Sequence, residues 1–116
     1  MSNIKTLHEV CEEIGVTRRA VQGYEKRGLV KPSARNKYGH LLYDDQAQKR
    51  IAVIKDYQRL GFSLKEIESL MDASDELVTD ALRRQVVKLQ EERDEKTVLI
   101  DMAKEWIEAI QKKGEV

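Results

Sequence analysis

Apolar residues recur at three- and four-residue spacing from Leu7 to Tyr24, through Val10, Cys11, Ile14, Val16 and Val21, with polar or charged residues between them. That spacing puts an apolar stripe on each of two short helices, and Gly15 divides them. Thr6 followed by Glu9 is a capping box, in which the Thr hydroxyl accepts from the Glu9 amide and the Glu9 carboxylate returns to the Thr6 amide. A helix is therefore predicted from Leu7 to near Glu13. Gly15 supplies the left-handed backbone of a sharp turn, Thr17 caps a second helix from Arg18 to about Arg27, and Gly28 stops it. Two short helices about a glycine turn make a helix-turn-helix. The second helix turns Arg18, Arg19, Gln22, Lys26 and Arg27 outward, as a recognition helix presents donors to phosphates and base edges.

Past Gly28 the period changes. Val30-Lys31 and Leu41-Leu42-Tyr43 are predicted to form short strands, and Lys37-Tyr38-Gly39-His40 between them holds a turn glycine. The hairpin becomes a basic wing with Arg35, Lys37 and His40 toward its tip. A solvated basic loop without a partner is the plainer reading, and the adjoining helix-turn-helix favours the wing. Asp44 or Asp45 opens a helix through Leu60, with Ala47, Ile51, Ile54 and Tyr57 or Gln58 along one face. Ser63 and Glu66 form a second capping box and start a short helix to about Asp72. Its mixed outer charges mark it as support, which brings Lys49 and Lys55 near a DNA backbone at most.

From Ser74 or Asp75 to Lys113 there is no proline and no internal glycine, so one helix about 58 Å long is predicted. Its heptad sets are Leu82, Leu89, Lys96, Ala103, Ile110 and Val78, Gln85, Glu92, Leu99, Trp106. The seam is apolar at both ends and charged across Gln90 to Lys96. A break there would fold the last stretch back, but no helix breaker lies in it. In an antiparallel pair, facing residues shift only by whole heptads. One register sets Val78 against Ile110, Leu82 against Trp106, Gln85 against Ala103, Leu89 against Leu99 and Glu92 against Lys96, with a two-fold axis near Asp94. A shift of one heptad either way would face these charges with apolar or uncharged residues. Val78, Leu82, Leu89, Leu99, Ala103, Trp106 and Ile110 are the expected dimerisation residues.

Composition changes this picture in two respects. The chain is neutral as a whole, yet residues 1–60 carry 12 Lys or Arg against 7 acids, and 61–116 carry 9 against 14. A basic head meets phosphate while an acidic tail stays clear of it. The single cysteine, Cys11, excludes an internal disulfide and reads as a small core residue. No apolar run spans a bilayer and no cleavable leader is evident, so a cytoplasmic protein is expected. At 116 residues no further ligand-binding domain of ordinary size is expected. An apolar ligand would have to use Trp106, Ile107, Tyr57 and Phe62, for which packing is the simpler role. His8, Cys11 and His40 lack any supporting carboxylate or metal-ligand spacing, so neither an enzyme nor a metal or other cofactor is expected.

The chain resembles the MerR family of transcriptional regulators. The resemblance rests on Gly15-Val16-Thr17, Tyr24-Glu25-Lys26-Arg27-Gly28-Leu29, Pro32, Gly39, Tyr43 and Gly61-Phe62-Ser63-Leu64-Lys65-Glu66-Ile67, in order, over roughly residues 4 to 72. Gln22, Gly23 and His40-Leu41 depart from the Arg, the Tyr and the Tyr-Arg usual in the family at backbone-contacting positions. The resemblance implies a homodimer that binds an over-long promoter spacer and distorts it for RNA polymerase. The expected fold is all-α with a small β wing: a winged helix-turn-helix head over 1–73, an antiparallel coiled-coil dimerisation helix over 74–113, and a disordered tail at 114–116. The DNA-contacting set is taken as Thr17, Arg18, Arg19, Gln22, Tyr24, Lys26, Arg35, Lys37 and His40. The alternatives are an architectural or excisionase-like winged helix that bends DNA without acting on RNA polymerase, and a coiled-coil adaptor that has lost DNA binding.

Overall fold

The computed structural model describes residues 3–114. In chain order its elements are β1 (Lys5–Thr6), α1 (Leu7–Ile14), α2 (Arg18–Lys26), β2 (Ala34–Arg35), β3 (Leu41–Tyr43), α3 (Asp45–Arg59), α4 (Leu64–Leu70) and α5 (Asp75–Gly114). They fall into two units, 1–74 and 75–116.

The helix starts of the first unit follow from their caps. Both capping boxes form, Thr6 with Glu9 and Ser63 with Glu66. Thr17 Oγ1 accepts from the Ala20 amide at 3.0 Å, and Asp44 Oδ1 from the Ala47 amide at 2.9 Å. Gly15, with φ of 78°, closes α1 through its amide to Cys11 O and turns the chain toward α2. The helices pack their stripes around Val10, Val21, Tyr24, Tyr43, Ile51, Ile54 and Ile67, all fully buried. Cys11 is half-buried, and burial pushes its thiol pKa up.

The sheet departs from expectation in two places. Its first wing strand is Ala34–Arg35, paired with Leu42 and Leu41, rather than Val30-Lys31. Pro32 has no amide to give a ladder, and pairing begins just after it, where the Ser33 amide donates to Leu42 O at 2.8 Å. Leu29 and Val30 are instead buried in the core. A third strand, β1, precedes α1 and pairs antiparallel on the other edge of β3, Lys5 with Tyr43 and Thr6 with Leu42. Two residues give no alternation to read, so sequence pattern missed it.

The second unit is α5, 40 residues of uninterrupted helix that would measure about 60 Å. The charged run Gln90 to Lys96 is helical throughout. Of the predicted tail, Gly114 is the last residue of α5, and Glu115 and Val116 lie outside the described residues.

Candidate nucleic-acid interface

Helix α2 separates its residues cleanly. Val21 and Tyr24 are buried, while Arg18, Arg19, Gln22 and Lys26 are exposed, Arg18, Gln22 and Lys26 at successive four-residue steps along one side. Thr17 is exposed, but its hydroxyl is engaged in the cap. Tyr24 must be corrected: it is 1% exposed and its hydroxyl donates to Gln58 Oε1 at 2.6 Å, so it holds the helix in place and has no surface for DNA. Arg27, beyond the helix end, turns away to pair with Glu68 on α4 at 2.9 Å.

The wing is held by its own turn. The Gly39 amide donates to Asn36 O at 3.0 Å and the Asn36 amide to His40 O at 3.0 Å, with Gly39 at φ 81°. This is a three-residue hairpin loop closed by a left-handed glycine. Asn36 Oδ1 also accepts from the Tyr38 and His40 amides, at 2.9 and 3.0 Å. Arg35 Nη1 reaches back to Gly39 O at 3.0 Å, so Arg35 braces the turn as well as adding charge. Lys37 Nζ lies 5.1 Å from the centre of the Tyr38 ring, which lies 6.3 Å from the His40 ring. Sequence reasoning passed over Asn36 and Tyr38. Asn at the first position of a turn with Gly at the fourth was the available signal for Asn36; nothing marked Tyr38, which is largely exposed at the tip.

Helix α3 supports both parts. Arg50 Nε donates to Leu29 O, and Lys55 Nζ to Ile14 O at 3.3 Å and to Gly15 O. Lys55 thus faces the helix-turn-helix, whereas Lys49 is exposed. From β3 the Tyr43 hydroxyl donates to Glu25 Oε1 on α2, and burial together with that carboxylate pushes the Tyr43 pKa far above its ordinary value. Tyr57 and Phe62 pack edge to face, ring centres 5.7 Å apart. Among the described residues, Arg18, Arg19, Lys26 and Lys37 form no ion pair, while Lys5, Arg27, Arg50 and Arg59 each do. No group of three or more His, Cys, Asp or Glu there is placed to hold a metal ion. Among the described residues no helix is long and apolar enough to cross a membrane.

On α5 the predicted seam residues divide. Val78 and Leu82 are half-buried and Gln85 is buried, whereas Leu89, Leu99, Ala103, Trp106 and Ile110 are exposed. Trp106 is 66% and Ile110 69% exposed, large apolar surfaces on one face of a single helix.

The family model described as MerR HTH family regulatory protein matches residues 5–74, and one described as MerR, DNA binding matches residues 48–106. The nodulation protein NolA of Bradyrhizobium diazoefficiens is 36% identical over 93 residues, 80% of this chain but 39% of its own length. This chain thus spans well under half of that relative. A crystal structure of a MerR family transcriptional regulator from Bacillus cereus matches with a TM-score of 0.72 at 28% identity, covering 84% of this chain and 75% of that one. HiNmlR, a MerR family regulator lacking the sensor domain and bound to promoter DNA, shares the fold with a TM-score of 0.69 at 21% identity, over 84% of this chain and 79% of its own. With capped helices, turn, wing and long helix in the same order as the matching motifs, the chain belongs to the MerR family of helix-turn-helix transcriptional regulators.

Proposed function

We propose that the chain regulates transcription as a homodimer bound to a pseudo-palindromic promoter operator, and that it is not an enzyme. The observation that carries this reading is the exposed, unpaired cationic face of α2 beside a braced basic wing. Arg18, Arg19, Gln22 and Lys26 enter the major groove, and Arg35, Lys37 and His40 grip the flanking backbone. The exposed face of α5 pairs antiparallel with a second copy, so two heads meet successive half-sites about one helical turn apart. The family resemblance adds distortion of the promoter spacer, through which RNA polymerase is affected without direct contact. The work belongs in the cytoplasm, where promoter and polymerase are. HiNmlR, in the same fold, is bound to promoter DNA. Selection of bound duplexes from a random pool by the full chain tests the reading. A two-fold-related consensus protected over two successive turns is expected; no enriched sequence, or an asymmetric single site, would refute it.

A further inference from the structure

Helix α3 holds the recognition helix at one place within it and at one on either side. Arg50 binds Leu29 O just past α2, Gln58 takes the Tyr24 hydroxyl within it, and Lys55 binds Ile14 O and Gly15 O in the turn before it. Lys55 has the most particular setting. The last carbonyls of a helix carry partial negative charge, and α1 has no basic residue of its own in its last turn. The Lys55 ammonium, half-buried and without an acidic partner among the described residues, supplies that charge from another element. The fit is close, since a Cβ at Gly15 would stand 3.1 Å from Lys55 Nζ. At least two of its three donors face the protein rather than solvent.

We propose that Lys55 is a positioning residue for DNA reading. By holding the turn carbonyls it sets the angle at which α2 presents Arg18 and Arg19, and it neutralises no phosphate itself. The inference rests on the proposed DNA-binding function and adds a role that charge alone does not assign. A phosphate contact and a positioning contact differ in what their loss does. Losing one phosphate contact lowers the slope of log affinity against log salt by about 0.9, roughly two units for a dimer, and weakens every sequence alike. Losing a positioning contact weakens the operator and spares both the slope and nonspecific binding, because only base-edge contacts need the correct angle.

The test uses the full chain, a duplex selected by the wild type, and a scrambled duplex of the same length, titrated over a salt series. Lys55→Met keeps the aliphatic stem and removes the donors. It should bind the operator about tenfold more weakly, the worth of one base-edge pair, with the scrambled duplex and the salt slope unchanged. Lys55→Arg, whose fork reaches both carbonyls, should recover most of the loss. Thermal unfolding should fall by only a few degrees, since water can replace the amine at this half-exposed turn. A slope reduced by about two with equal loss on both duplexes makes Lys55 a phosphate contact and overturns the proposal. So does unchanged operator affinity beside a lowered Tm. If Lys55→Met does not stay folded at the assay temperature, Lys55→Gln is measured with the same expectations. A wild type that selects no sequence overturns the DNA-binding reading together with this one, whereas selective wild-type binding left intact by the variants overturns this one alone.

Discussion

Lys96→Glu is expected to split the proposed dimer, and Glu92→Lys in the same chain to restore it. In the register that sets Leu82 against Trp106 and Leu89 against Leu99, each Glu92 faces Lys96 of the second copy, and symmetry makes two such pairs. Both side chains are exposed in the single helix, and the proposed register would bring them together at the centre of the seam. An exposed ion pair contributes about 1 kcal/mol at most, and reversing one charge replaces attraction with repulsion of similar size. Each pair then changes by at most about 2 kcal/mol and the dimer by at most about 4, which raises its dissociation constant by up to roughly a thousandfold. The four-residue spacing within one helix contributes only about 0.5 kcal/mol, too little to imitate this. Sedimentation equilibrium at low salt over a dilution series measures it. Glu92→Lys alone should weaken the dimer as Lys96→Glu does, and the double variant should return to within about tenfold of wild type. Shifted by a heptad, Glu92 would face Leu89 or Ala103, and Lys96 would face Gln85 or Leu99, so single reversals would change little. Additive losses in the double variant, or none in the single ones, would refute the register and with it the head spacing.

Three further outcomes are expected. Arg19→Ala should lower operator affinity by about 1 to 3 kcal/mol, while Lys37→Ala weakens all duplexes alike and flattens the salt dependence; intact operator binding by an Arg18→Ala, Arg19→Ala double variant would remove α2 as the reader. Gly15→Ala should lose about 1 to 2 kcal/mol in urea unfolding, since its φ of 78° strains any residue with a Cβ, and Gly15→Asn should lose less; equal midpoints for all three would contradict this. Tyr43→Phe should cost about 1.5 to 3 kcal/mol through its bond to the Glu25 carboxylate. Because the folded Tyr43 pKa is raised, its contribution is full below the ordinary value of 10.0 and is lost as pH rises above it. Stability against pH should therefore fall less steeply above that value in the variant, with Tyr24, also raised by burial, leaving some slope.

What the sequence disclosed about the fold depended on how local the cause was. Capping boxes at Thr6 and Ser63, the caps at Thr17 and Asp44, and the glycine after Ile14 act within a few residues, and the observed helices begin where those signals stand. The long helix was equally readable, because nothing in residues 75–113 interrupts it. The sheet was not. A strand of two residues has no period, and β1 exists only because β3, some 35 residues later, offers it an edge. Val30-Lys31 is expected as a strand, yet the core takes Val30, and pairing moves past Pro32.

The candidate site divides along the same line. That Arg18, Arg19, Gln22 and Lys26 point outward follows from helix period, and so does the burial of Tyr24, which sits three residues after Val21 on the inward stripe. Tyr24 stands both on the inward stripe and among the expected DNA contacts, and its burial and its bond to Gln58 decide for the stripe. Sequence could not sort the cations, because their partners lie on other elements. Arg27 is drawn to Glu68, Arg50 to Leu29 O and Asp72, and Lys55 to the turn, each 20 or more residues away along the chain. Among the described residues, that leaves Arg18, Arg19 and Lys26 on α2 and Lys37 on the wing exposed and without ion pairs, with Lys31 and Lys49 elsewhere on the head. The charge that counts toward phosphate is therefore smaller than the head's excess of basic residues suggests. It is also concentrated where the capped helix and the braced turn hold it at fixed positions.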